Sequence, residues 1–187
     1  MREGQIHVLG ISGSLRTDSY NRKVLRIAKR TAEELGAEVS EVDLRELAMP
    51  VYDADIQAKG FPESVLKFKR AVESADVLLI ASPEYNASVS GALKNAIDWA
   101  SRGTNSFDGK VAAIFGASPS ALGTVRSQLH LRHILADVNV LVVPKPNVFI
   151  HSAQDAFDSS GALKNEGTHT RLKEVVARAI ELARRLK

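Results

Sequence analysis

Two stretches of this chain are apolar without interruption after their first residue, Asp76-Val-Leu-Leu-Ile-Ala81 and Lys110-Val-Ala-Ala-Ile-Phe-Gly116. Side chains of a strand alternate between two faces, so a continuously apolar strand needs cover on both. Such runs predict the centre of a parallel sheet with helices above and below. Three further segments complete a set of five. Gln5-Ile-His-Val-Leu-Gly-Ile11 reads as a mostly buried strand, Ala37-Glu-Val-Ser-Glu-Val-Asp43 alternates like a half-buried strand at or near a sheet edge, and Asn139-Val-Leu-Val-Val143 is the fifth. Helical periodicity fills the gaps. A helix starting near Asp18 carries Val24, Leu25, Ala28, Ala32 and Leu35 as its buried stripe, and others span about 62–74, 89–101 and 121–137. A last amphipathic helix near Thr168 to Leu186 aligns Leu172, Val175, Val176, Ala179, Ile180 and Ala183. Right-handed crossovers then place helices on both faces of the sheet, giving a three-layer α/β sandwich. At 187 residues and 44% hydrophobic content, one domain spanning 1–187 accounts for the whole chain.

The expected strand order is 2-1-3-4-5, the flavodoxin-like winding, in which a mononucleotide sits on the loops after strands one, three and four. The first of these loops is Gly10-Ile-Ser-Gly-Ser-Leu-Arg-Thr-Asp-Ser-Tyr-Asn21. It leads from a strand into a helix N-terminus, where unpaired amides and the helix dipole favour an anion. Ser12, Ser14, Thr17 and Ser19 add hydroxyls, Arg16 a planar cationic fork, and Asn21 an amide donor. The same composition also suits an ordinary turn in which Asp18 or Ser19 caps the helix. The loop lacks the Gly-Lys-Ser/Thr of a triphosphate site, since the first lysine is Lys23, and Gly10 and Gly13 do not have the spacing of a dinucleotide fingerprint. A single terminal phosphate fits better.

The third strand runs into Ser82-Pro-Glu-Tyr-Asn-Ala-Ser-Val-Ser-Gly91. Backbone N–H groups from Glu84 to Asn86 are placed to meet the polar edge of a planar ligand, with Tyr85 over a ring face; alternatively, Pro83 only sets the turn and Tyr85 only fills a groove. After the fourth strand, Gly116-Ala-Ser-Pro-Ser-Ala-Leu-Gly123 offers Ser118, either as a donor at a ring edge or as a helix cap.

Composition excludes several chemistries. The chain has no cysteine, which removes disulfides, thiolate-ligated metals and the thiolate mechanism of small tyrosine phosphatases. Its five histidines show no zinc-enzyme spacing. A net charge of +3 spread along the sequence gives no basic patch for nucleic acid. No stretch has membrane-spanning length, and the start Met-Arg-Glu-Gly-Gln has no apolar signal region, so a cytoplasmic protein without membrane insertion is expected.

Gly-Ser-Leu-Arg with Ser19 and Asn21, Pro-Glu-Tyr-Asn at 83–86, Gly-Ala-Leu-Lys-Asn-Ala-Ile-Asp-Trp at 91–99 and Gly-Ala-Ser at 116–118 resemble the NAD(P)H-dependent FMN reductases, including quinone and chromate reductases. The resemblance runs from about Ile6 to Ile150. It implies FMN held by Ser12, Ser14, Arg16, Ser19 and Asn21 at its phosphate, and by Pro83, Glu84, Tyr85, Asn86 and Ser118 around its ribityl chain and ring. Ala117-Ser118 departs from the Gly-Gly pair common in relatives. The implied reaction is ping-pong hydride transfer from NADPH or NADH through FMN to a small-molecule acceptor such as a quinone, free flavin, azo compound or chromate, with no catalytic acid or base. The alternative, a flavodoxin-type electron carrier, needs a strongly charged docking face that this composition does not supply. The resemblance further implies a homodimer or homotetramer.

Three other segments carry expectations. Trp99, on the flank of its helix with Arg102, reads as a subunit contact. The connection 44–55, with Leu47, Met49, Val51 and Tyr52, should lie against another surface such as a partner subunit, and 149–167 reads as a long polar tail with a mobile Ser-Ser-Gly cluster. His130 and His133 read as surface or interface residues; Arg126 and Arg132 belong to a solvated helix face or reach an acidic neighbour or an NADPH phosphate.

Overall fold

The computed structural model describes residues 4–187. Five parallel strands, β1 (His7–Ser12), β2 (Glu38–Val42), β3 (Val77–Ala81), β4 (Val111–Ala117) and β5 (Leu141–Val142), lie in the order β2-β1-β3-β4-β5. This is the expected winding. The alternation of side chains explains the two apolar runs. Val77, Leu79, Ala81, Ala113 and Phe115 enter a core beneath α1 (Tyr20–Glu34) and α7 (Glu166–Leu186). Leu78, Ile80, Ala112 and Ile114 enter a second core beneath α4 (Glu63–Ser74), α5 (Gly91–Ala100) and α6 (Val125–Asp137). β2 is half exposed, as its alternation requires of an edge strand.

The far edge differs from expectation. β5 pairs only with Val111 and Ala112, and a further strand β6 (Phe149–Ile150) pairs with Gly116 and Ala117 at the other end of β4. The two short strands share one edge of β4. Between them stand Pro144 and Pro146, which have no N–H to give a ladder. The supposed polar tail 149–167 thus contributes a strand, and Phe157 within it is buried and stacks on Tyr20 with ring centroids 6.1 Å apart. Its Ser-Ser-Gly turn is organised by Asp158, which accepts hydrogen bonds from Ser160 and Ala162.

Several boundaries move. α1 starts at Tyr20 behind its cap Ser19 and ends at Glu34, so Leu35 lies outside the buried stripe and is 40% exposed. α5 opens two residues later than expected because Ser90 caps it by accepting from the Leu93 N–H. α6 opens at Val125 because 121–124 form a turn around Gly123, whose φ is +61°. The connection after β2 holds two short helices, α2 (Leu44–Leu47) and α3 (Ala54–Ala58).

That connection also corrects the reading of Trp99. The indole is fully buried within its own chain and donates to the Pro50 carbonyl at 2.7 Å, with Tyr52 and Phe61 packed edge-on. Asn95 fastens the same segment, accepting from Tyr52 N–H and donating to Pro50. The surface under 49–52 is therefore α5 of the same molecule, not a partner, and Val51 alone of the four apolar residues points to solvent. Among the described residues no helix is long and apolar enough to cross a membrane, and no cluster of His, Asp and Glu could hold a metal ion.

Candidate active site

The loops after β1, β3 and β4 meet at the carboxyl end of the sheet. They enclose a groove of about 70 Å³ lined by Ser14, Arg16, Ser19 and Asn21 from the first, Pro83, Glu84 and Tyr85 from the second, and Ser118 from the third. Of the residues singled out in the sequence, Ser12 lies behind this lining and Asn86 outside it. Larger hollows exist, including one of about 440 Å³ between α5 and α6 lined by Lys94, Asp98, Arg102 and His133. It opens between two helices, away from the switch point where an open α/β sheet takes its ligand.

The β1 loop is tightly seated. The Gly13 N–H donates to the Ala81 carbonyl, its carbonyl accepts from Ser90 Oγ at 2.6 Å, and a Cβ at this position would lie 3.0 Å from Pro83 and 3.1 Å from Ser90 Oγ. A side chain here would fit only if Pro83 and Ser90 gave way by a few tenths of an ångström. Ser12, Ser14 and Ser19 each accept from the backbone N–H two residues on. Each hydroxyl keeps its own hydrogen to donate to an anion. Arg16 is exposed and, among the described residues, pairs with no carboxylate. Arg45 holds the loop from outside through the Leu15 carbonyl, and Arg45 is in turn set by Asp43, which also binds Arg22 at 2.7 Å. Burial pushes the Asp43 carboxyl up, but the hydrogen bonds and charges of Arg22 and Arg45 outweigh it, so its pKa lies below the usual value. Nothing in the sequence around Arg45 signals this role, since its target is thirty residues away.

Asn21 is occupied differently from expectation. Its amide donates to the Ala117 carbonyl at 2.9 Å and accepts from the Ala117 N–H at 3.0 Å, joining the start of α1 to the end of β4. One side-chain N–H is left over. β4 can approach so closely because of Gly116, where a Cβ would stand 2.2 Å from the Ser82 carbonyl oxygen.

In the second loop, Tyr85 and Ser88 exchange both backbone hydrogen bonds across a tight turn whose central residues Asn86 and Ala87 have φ of +49° and +64°. Two left-handed residues define the I′ geometry, which suits Asn and strains Ala. The turn presents Tyr85 at the groove, 48% exposed. Glu84 turns its carboxylate the other way, into α6, where Arg126 pairs with it. Arg132 donates to the Val143 carbonyl and Asn147. Both arginines thus have partners within the chain. His130 and His133 are exposed, with His130 Nδ1 2.9 Å from Ser88 Oγ.

The strand order defines a flavodoxin-like α/β protein, and the loops after β1, β3 and β4 meet in one groove at its switch point. The profile of the NADPH-dependent FMN reductases matches residues 6–155, and the chain belongs to that family. It is 48% identical over 162 residues to an NAD(P)H-dependent FMN reductase of Pseudomonas aeruginosa, with 86% of each chain covered. It is 41% identical to an NAD(P)H:quinone oxidoreductase of Solanum tuberosum, covering 97% of this chain and 95% of that one. Among solved structures, the FerB flavoenzyme NAD(P)H:(acceptor) oxidoreductase of Paracoccus denitrificans superposes with a TM-score of 0.85 at 34% identity, covering 96% of this chain and 98% of that one. The protein is an oxidoreductase whose cofactor is FMN and whose electron donor is NAD(P)H.

The groove suits the phosphate end of FMN. Two hydroxyls with hydrogens to donate, Ser14 and Ser19, and a guanidinium that has no carboxylate partner among the described residues form a donor set for a dianion, in a volume well below that of a whole-ligand pocket.

Proposed function

We propose that this chain, acting as one domain, binds the FMN phosphate in the β1 loop and the flavin ring against the Tyr85 turn, and passes reducing equivalents from NAD(P)H to quinones and similar small acceptors in ping-pong order. The observation that carries this reading is the convergence of the three strand-end loops on one groove whose donors are free. Bound there, FMN supplies both hydride acceptance and electron donation. The chain's own groups do the rest. Ser14, Ser19 and Arg16 neutralise and orient the phosphate, while Ser12 props the loop from behind by accepting from the Ser14 N–H. The backbone N–H groups of Glu84 and Asn86 and the Ser118 hydroxyl serve the ring edge, whereas the Tyr85 N–H, expected from the sequence to join them, is spent on the Ser88 carbonyl. Tyr85 covers the ribityl side and leaves the opposite face open, so that donor and acceptor use the same place in turn.

Free flavin, azo compounds and chromate belong to the same acceptor class, and discrimination among them rests on the width of the open face. Leu122 in the turn before α6 and Leu129 in its second turn, 54% and 60% exposed, support assembly as a homodimer or homotetramer. The reading places the enzyme in the cytoplasm. Anaerobic titration of the FMN-loaded protein with NADPH and then NADH tests the function. Bleaching of the visible flavin band, reversed by added quinone, is the expected result. A band that dithionite bleaches and neither nicotinamide touches would instead make the protein an electron carrier.

A further inference from the structure

Helix α6 begins without a cap of its own. Thr124, at the N-cap, accepts from the Gln128 side chain but from no first-turn backbone N–H, and that turn holds no acidic residue. The acceptor comes from the β3 loop. One Glu84 carboxylate oxygen accepts from the Arg126 N–H at 3.0 Å and the Ser127 N–H at 3.1 Å, and the other accepts from Arg126 Nε at 2.7 Å. The Glu84 side chain is only 4% exposed. A carboxylate so placed satisfies orphan amides and meets the positive end of the helix dipole at once. Two further ties run along the same helix. Ser127 Oγ donates to the Pro83 carbonyl at 2.8 Å, and His130 Nδ1 meets Ser88 Oγ at 2.9 Å. The β3 loop is therefore strapped to α6 on both sides of the turn's tip, at Pro83 and Glu84 before Tyr85 and at Ser88 where the turn closes.

We propose that Glu84 is a positioning residue for the flavin. Its carboxylate caps α6 instead of touching a ligand, and by doing so it makes one rigid wall of two loops that are distant in sequence, the Tyr85 turn and the Ser118 loop that feeds α6. The proposal rests on the groove being the FMN site. It differs from the expectation that Glu84 borders the cofactor directly, because both carboxylate oxygens are engaged on the far side of the loop.

The test uses the full chain and two readouts, amide hydrogen exchange of the FMN-free protein and FMN binding followed by fluorescence and visible circular dichroism. Glu84→Asp keeps the charge but is one methylene too short to reach both amides. Glu84→Gln keeps the length and turns an N–H₂ toward Arg126. Both should speed exchange of the Arg126 and Ser127 amides about tenfold or more while the β3 and β4 amides hold. Both should also weaken FMN at least fivefold and alter the dichroism of the bound flavin at saturation. Unchanged exchange overturns the strap; faster exchange with unchanged FMN affinity and dichroism makes Glu84 structural only and overturns the positioning role. Ser127→Ala removes the Oγ ties to the Pro83 carbonyl and to Ser82 Oγ while leaving the carboxylate cap, and should shift both readouts the same way by less, which keeps the test decisive if the Glu84 variants misfold. No shift in either readout would then overturn the proposal. Arg16→Ala separates the underlying assignment. If it weakens FMN while the Glu84 variants do not, only the positioning role fails, and if it too is without effect, the groove is not the FMN site.

Discussion

Asn21→Ala should destabilise the ligand-free protein by about 3 kcal/mol, although the residue stands beside a groove where a polar side chain would ordinarily be read as a ligand contact. Asn21 and Ala117 are each 3% exposed, and the amide satisfies both the N–H and the carbonyl of Ala117 at 3.0 and 2.9 Å. Truncation orphans two buried backbone groups, each worth about 1–3 kcal/mol, and water entering from the groove offsets part of that loss. In a domain of this size the change corresponds to a fall in Tm on the order of 6–12 °C. Asn21→Asp keeps the acceptor for the Ala117 N–H but sets a negative oxygen against its carbonyl, and it should destabilise the protein comparably. Urea unfolding without FMN, with the m-value checked for constancy, isolates this effect from any stabilisation by bound cofactor. A change below about 0.5 kcal/mol, typical of an exposed side chain, would refute the argument that this amide joins α1 to β4.

Two other perturbations follow from the same geometry. Gly116→Ala places a Cβ 2.2 Å from the Ser82 carbonyl oxygen and 2.5 Å from Thr124 Oγ1, and the Ser82 backbone is itself held by its N–H bond to Phe115. The two loops must separate, at a cost of about 3 kcal/mol or more, and a Tm within about 2 °C of wild type would contradict the contact. Asp43 contributes to the acid limb of stability. Its folded pKa lies below the ordinary 3.8, so it contributes stability that is fully present above that value and is lost as pH falls through the folded value. Wild type should therefore lose more stability than Asp43→Asn between about pH 5 and pH 2.5, and parallel pH profiles would count against the Arg22 and Arg45 pairing.

The central sheet was legible because its information is local. A run such as Val77 to Ala81 alternates faces as a strand, and cover on both faces makes all of it apolar. The β1 loop was legible for the same reason: strand, hydroxyl-rich turn and helix follow one another in the chain. Trp99 was misread because helical periodicity shows which flank a residue occupies but not what arrives to cover it. The cover comes from Pro50, forty-nine residues earlier. The broken edge of the sheet escaped notice because a two-residue strand after prolines has no periodicity of its own. The capping Glu84 is of this kind as well. Its partners lie forty-two and forty-three residues on, and the only local hint is a helix that starts without an acidic or hydroxyl cap in use.

Residues gathered at the same groove divide by whether their hydrogen-bonding capacity is already taken up. Ser14 and Ser19 accept from the backbone yet keep a hydrogen to give, and Arg16 has no carboxylate partner among the described residues. Glu84 has given both carboxylate oxygens to α6, and Asn21 has given its carbonyl and one of its two N–H groups to Ala117. A sequence motif draws all of them together because both kinds are needed for the site to exist, one to hold the ligand and the other to hold the walls. The distinction has a thermodynamic signature. Removing a ligand-holding group such as Arg16 weakens cofactor binding while leaving the FMN-free protein as stable as before. Removing a wall-holding group lowers both, because the buried partners it leaves behind remain unpaired whether or not FMN is present.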